Sequence, residues 1–395
     1  MPLIQEKVNQ AIEILKELDV DLWLTFVRET SGVRDPILDF LIGENDLTWH
    51  SAIILTRKGE KIFILGNLEK DTALRMGVYN EVIGYDKSAK ELLRDTIIRL
   101  APRQIAVNTS RNNVHADGLT HSMYEELRDY LAGTPYAERL ISAEPVINAM
   151  RGRKTQTELA RIQKAVDITN EIYEKTFAFI KVGMTEIEVA DYMHALMKEY
   201  GVGHAWPSEN NPAVNSGPNS PVGHNGPTDI RIEPGHVIHI DFGVKYEGYC
   251  SDIQRVAYVL REGETEAPLE VQRGFITVRT AIEQSRGAMK AGVTGNSIDT
   301  ISREIVTDSG YPEYMYALGH QLGRVAHDGG ALLGPQWEKY GDSPNQTLEV
   351  GQVYTLEPGL AVSQGYIGLE EDVVLTHEGA LYIGEPQREI VLIKR

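Results

Sequence analysis

The stretch VIHIDFGVKYEGYCSDIQRVAYV, from Val237 to Val259, constrains this chain more than any other. Apolar positions lead in (Val237, Ile238, Ile240, Phe242) and lead out (Ile253, Val256, Tyr258), with Glu247-Gly248 between them. That pattern predicts an antiparallel hairpin. A turn centred between Tyr246 and Glu247 sets residues whose numbers sum to 493 opposite each other, and Asp241 and Asp252 form such a pair. Directly opposed side chains share a face, with Cβ atoms roughly 4.5–5.5 Å apart, and like charges there are destabilising. Two facing carboxylates need something to neutralise them.

Three further segments carry suitable groups. ALGHQLG sets His320 between glycines, VYTLEPGL ends an apolar strand on Glu357, and GLEEDVVLT opens another strand on Glu371. Four carboxylates and one imidazole suit two divalent cations. Oxygen donors favour Mn, and the imidazole also admits Co or Zn. Taken singly, each signal has an ordinary explanation: a turn aspartate, a strand end, a loop histidine. Cys250 and His239 read as residues that fill the sheet.

The rest of the chain sets the frame. At 395 residues it exceeds the size at which one core stops growing, so two domains are expected. Residues 1–152 alternate helical and strand patterns, the mark of an α/β layer, and hold no catalytic cluster. At MRGRKTQTE the character changes, with Thr155 or Thr157 as a candidate cap and Glu158 opening a long helix, so a second domain is expected over 153–395. Helical pairs before each of two strand sets suggest that this domain has two related halves. A net charge of −18 argues against nucleic acid or an anionic membrane as partner. A single cysteine excludes an internal disulfide. No signal-peptide pattern and no run of about 18 apolar residues appears, so a cytoplasmic protein is expected.

In order and local context, Asp241, Asp252, His320, Glu357 and Glu371 resemble the ligand set of the pita-bread (creatinase/aminopeptidase) metallopeptidases. The resemblance implies an α/β (α+β) chain with a creatinase-like N-terminal domain and a pita-bread catalytic domain. It implies that Asp241 holds one metal, that His320 and Glu357 hold the other, and that Asp252 and Glu371 bridge them. His224 and His327 match substrate-side histidines, and Glu357 is the proton shuttle. The two-domain layout is similar to that of prolidases and aminopeptidase P, which implies an Xaa-Pro dipeptidase, with Xaa-Pro aminopeptidase as the alternative. A scaffold or creatinase-like member of the fold is the remaining class, although such relatives lack part of the ligand set.

Many family members carry an arginine two residues before the last glutamate ligand, where this chain has Leu369. Arg324 is a candidate replacement. The family also implies a homodimer in which an N-terminal-domain residue, with Trp49 the candidate, reaches the partner's site and binds substrate.

Overall fold

The computed structural model describes residues 2–223 and 225–394. The chain divides into two compact units, Met1–Arg151 and Gly152–Arg395.

The first unit is built on a six-stranded sheet. Its strands are β1 (Leu22–Val27), β2 (Ser51–Thr56), β3 (Lys61–Gly66), β4 (Glu81–Tyr85), β5 (Ile105–Val107) and β6 (Leu140–Ser142), in the spatial order β4-β3-β2-β1-β5-β6. β1, β2 and β3 pair antiparallel, and the outer additions are parallel, so the sheet is mixed. All six residues of β1 are buried, as expected of a strand covered on both faces. One face buries Trp23, Ile53 and Phe63 with Val8, Ala11 and Leu15 of the helix Pro2–Glu17. The other buries Leu22, Leu24 and Ile54 with Leu93, Ile97 and Leu127 from the helices Lys90–Leu100 and His121–Tyr130.

The second unit repeats one arrangement. A pair of helices, Gln156–Phe179 and Glu186–Tyr200, precedes the strands β7 (Gly203–His204), β8 (Ala213–Ser216), β9 (Val237–Phe242), β10 (Val244–Tyr246), β11 (Tyr249–Cys250) and β12 (Ile253–Val259). A second pair, Leu269–Ala288 and Gly295–Asp308, precedes β13 (Val353–Leu356), β14 (Gly359–Val362), β15 (Gly365–Gly368), β16 (Glu371–Thr376), β17 (Gly379–Tyr382) and β18 (Val391–Ile393). The junction inside each pair is the same device. Gly183-Met184-Thr185 and Gly292-Val293-Thr294 each set a glycine at positive φ two residues before a threonine N-cap. Both threonines also form an isolated antiparallel bridge, Thr185 to Arg231 and Thr294 to Thr347. Of the two candidate caps at the unit's start, Thr155 is the one used, in a reciprocal capping box with Glu158.

The hairpin forms, with a different register. Glu247 (φ 45°) and Gly248 (φ 82°) make a two-residue turn with both φ values positive. Such turns match the twist of the flanking strands, and glycine adopts the conformation without strain. Paired residues therefore sum to 495: Lys245 faces Cys250, and Asp241 faces Gln254 rather than Asp252. By the same count Asp252 lies across from Gly243. It is diagonal to Asp241 on the same face, at a separation of roughly 7–8 Å for such neighbours. The expected face was right and the expected opposition was not. β12, β9 and β8 continue as one sheet, with β18 on the far edge of β12.

Candidate metal centre

The antiparallel ladder β13–β16 delivers the other groups. Thr355 pairs with Asp372 and Leu356 with Glu371, so Glu357, one residue past β13, comes level with Glu370. Gly319 allows the histidine segment to lie against β13, because a Cβ there would meet the Thr355 carbonyl oxygen at 2.0 Å. Thr355 N–H donates to the His320 carbonyl at 2.9 Å. His320 N–H in turn donates to Thr355 Oγ1 at 3.2 Å. The imidazole is thus held with Nε2 3.2 Å from Glu357 Oε1 and 3.8 Å from Asp252 Oδ2.

Asp252, His320 and Glu370 offer ligand atoms that all lie within 4.8 Å of one another. Asp241 and Glu357 act electrostatically on the same cluster. Burial, then the charges of Asp241 and Glu357, push the Asp252 carboxyl well above its ordinary range. Burial, then Asp252 and Glu357, do the same to Glu370. Burial and Glu357 raise Asp241 to about 7. Burial pushes His320 down, but the hydrogen bond and charge of Glu357 outweigh it and the imidazole is raised. Asp241 Oδ1 and Glu370 Oε1 are buried with no hydrogen-bond partner among the described residues. Each such atom costs on the order of 1–3 kcal/mol. Oxygen donors left unsatisfied beside an imidazole fit a divalent cation.

Glu371, expected as a bridging ligand, does not join the cluster. Its carboxylate is bound on both oxygens by Arg255, Nη1 to Oε1 at 3.0 Å and Nη2 to Oε2 at 3.0 Å, and Oε1 also accepts from Gln387 N–H at 2.8 Å. It lies on the opposite face of the strand from the cluster, because successive side chains alternate. Leu369, Val373 and Leu375 are fully buried in the core on the odd-numbered side, whereas Glu370 and Asp372 take the even side. Asp372 Oδ2 accepts from the Asp252 backbone N–H at 3.1 Å. The position two residues before the cluster glutamate is therefore Gly368, not Leu369. A Cβ there would meet Gln254 Oε1 at 2.6 Å, His239 Nε2 at 2.7 Å and Tyr366 Cε1 at 2.9 Å. No side chain fits.

The His327 ring is exposed and lies edge-on to His320, centroids 4.2 Å apart. The Arg324 guanidinium sits over the Tyr249 ring at 5.5 Å, near the Gly248 turn. Trp49 precedes β2 in the first unit and is 50% exposed, its ring packed against Gly66. His224 lies outside the described residues. Cys250 is buried in the sheet. His239 makes more of the site than a sheet filler: its Nε2 is 2.9 Å from Gln254 Oε1, and Gln254 Nε2 donates to Glu357 Oε2 at 3.4 Å. Burial holds that imidazole down at about 4, hence neutral.

Residues 160–377 match the metallopeptidase family M24. The chain belongs to that family. An uncharacterized peptidase of Staphylococcus saprophyticus is 28% identical over 381 residues, 94% of this chain and 97% of that one. Among solved structures, an Xaa-Pro dipeptidase from Bacillus anthracis superposes with a TM-score of 0.73 at 24% identity, covering 98% of this chain and 99% of that chain. An X-Pro aminopeptidase from Thermotoga maritima MSB8 gives 0.71 at 26% identity, covering 96% and 100%. The architecture is the two-domain pita-bread fold of M24 metallopeptidases, and membership implies the use of divalent metal. Among the described residues no helix is long and apolar enough to cross a membrane.

Proposed function

We propose that this M24 peptidase is an exopeptidase that hydrolyses the bond before proline, with Xaa-Pro dipeptides as substrates. In this reading two divalent ions, Mn before Co or Zn, are held by Asp241, Asp252, His320, Glu357 and Glu370. The observation that carries it is the cluster of Asp252, His320 and Glu370, with Glu357 against His320 and Asp241 acting on it electrostatically, and with an oxygen of Asp241 and one of Glu370 left unpaired. The choice of proline rests on the solved neighbours described as Xaa-Pro dipeptidase and X-Pro aminopeptidase. The aminopeptidase at 26% identity keeps release of Xaa from longer peptides as the second reading.

Bound ions would supply Lewis-acid polarisation of the peptide carbonyl and acidification of a water. The chain's own groups divide the remaining work. Glu357, held through Oε1 by His320 and through Oε2 by Gln254, shuttles the proton to the leaving amine. His327, exposed at the edge of His320, donates to charge developing on the carbonyl oxygen.

Mn-loaded protein should cleave Ala-Pro faster than Ala-Pro-Ala. The reverse order selects the aminopeptidase reading, and no cleavage of either removes both. His327→Ala should retain its metal and lose on the order of 10²–10³ in turnover. A metal-depleted His327→Ala protein would instead make that histidine a ligand.

A further inference from the structure

Beside Glu357 stand two tyrosines that this chemistry does not use. Tyr316, four residues before His320, and Tyr366, in β15, place their hydroxyls 2.6 Å apart. Both residues are partly buried. Gly359, two residues after Glu357, leaves the space they occupy: a Cβ there would meet Tyr366 Oη at 2.0 Å and Tyr316 Oη at 2.9 Å. The Tyr366 ring stands edge-on to His239, centroids 5.1 Å apart, and so adjoins the His239–Gln254 pair that reaches Glu357.

Proton counting makes this pair informative. Two phenols carry two O–H hydrogens, and their mutual bond consumes one. Among the described residues neither hydroxyl makes another hydrogen bond. One O–H therefore remains unspent next to the cluster. Burial and the charge of Glu357 both raise the two phenols, so both stay protonated and remain donors. At Gly368, on the same wall, a Cβ would meet Gln254, His239 and Tyr366 within 2.9 Å.

We propose that the Tyr316–Tyr366 hydroxyl pair is a substrate-binding element that donates its spare hydrogen to a carbonyl oxygen of the bound peptide. The proposal rests on the peptidase reading above and names a contact that reading does not contain. It also has a signature that a merely structural pair lacks. Replacing either tyrosine by phenylalanine breaks the mutual bond but frees the surviving hydroxyl, so one donor still faces the substrate. Only the double replacement removes the donor. If the pair served only to brace the wall, either single change would do all the damage.

The test uses Mn-loaded wild type, Tyr316→Phe, Tyr366→Phe and the double variant. Metal content, kcat/KM on Ala-Pro and Ala-Pro-Ala, and calorimetric Kd for Ala-Pro-Ala are measured on each. Metal content should hold in all four. Each single variant should fall about two- to threefold in kcat/KM, and the double variant about tenfold or more, the size of one neutral hydrogen bond. Either single variant equal to the double overturns the proposal, as does a double variant within threefold of wild type. If wild type binds Ala-Pro-Ala without cleaving either peptide, the peptidase reading fails alone and the same pattern in Kd decides the pair. A wild type that neither cleaves nor binds overturns both.

Discussion

Glu370→Gln should lose metal and hydrolysis while keeping its fold, and Glu371→Gln should keep its metal while losing stability. The two residues are adjacent glutamates and both are buried, so no argument from composition separates them. Geometry does. Glu370 faces Asp252 and His320 with one oxygen unpaired, so its neutral isostere removes an anionic donor and relieves repulsion in the metal-free protein. The cost in turnover should exceed the roughly 10–100-fold typical of changes outside the ligand shell. Glu371 neutralises Arg255, and both side chains are almost wholly buried. Its isostere leaves a guanidinium buried without a counter-charge, which costs about 3–5 kcal/mol. Metal analysis and thermal melts on the two variants check both halves. A Glu371→Gln protein that melts like wild type but has lost its metal would reverse the assignment.

That contrast also marks what could be read before the structure. The hairpin, its face and the change of character near Arg151 follow from local alternation and capping, which are short-range properties. The register did not follow, because a shift of the turn by one residue moves every pairing by two, and Glu247 gives little sign that it adopts positive φ. Glu370 was legible in principle: Leu369, Val373 and Leu375 mark the odd positions as core, which leaves the even positions for the cluster. Resemblance alone does not separate two adjacent glutamates, whereas that alternation does. The glycine–threonine device shared by the two halves was also present, at Gly183-Met184-Thr185 and Gly292-Val293-Thr294, but its meaning lies in bridges to Arg231 and Thr347 far along the chain. Tyr316 and Tyr366 could not be paired from sequence at all, since 50 residues separate them and only the tertiary fold brings their hydroxyls together.

Asp252→Asn should weaken the effect of both metal and pH on stability. In the metal-free protein Asp241, Asp252 and Glu370 all have raised pKa values, chiefly through burial; Glu357 then raises Asp241, Asp241 and Glu357 raise Asp252, and Asp252 and Glu357 raise Glu370. A carboxyl whose folded pKa lies above its unfolded value binds more protons folded than unfolded, so its contribution is fully present in acid and is lost as pH rises. For Asp241 that window runs from the ordinary 3.8 to about 7. Metal-free wild type should therefore melt lower at pH 7.5 than at pH 5, and Asp252→Asn should flatten that decline because one repelling charge has gone. Added Mn reverses the order at pH 7.5, since a cation that binds only the folded state stabilises it. At 100 times Kd the gain is roughly 2.7 kcal/mol, or about 5–10 °C for a domain of this size. The variant, with an amide in place of an anionic donor, should gain less than half of that and hydrolyse nothing. Melts at two pH values, each with chelator and with Mn, read all of this from one preparation. Equal Mn shifts in wild type and variant would remove Asp252 from the metal centre.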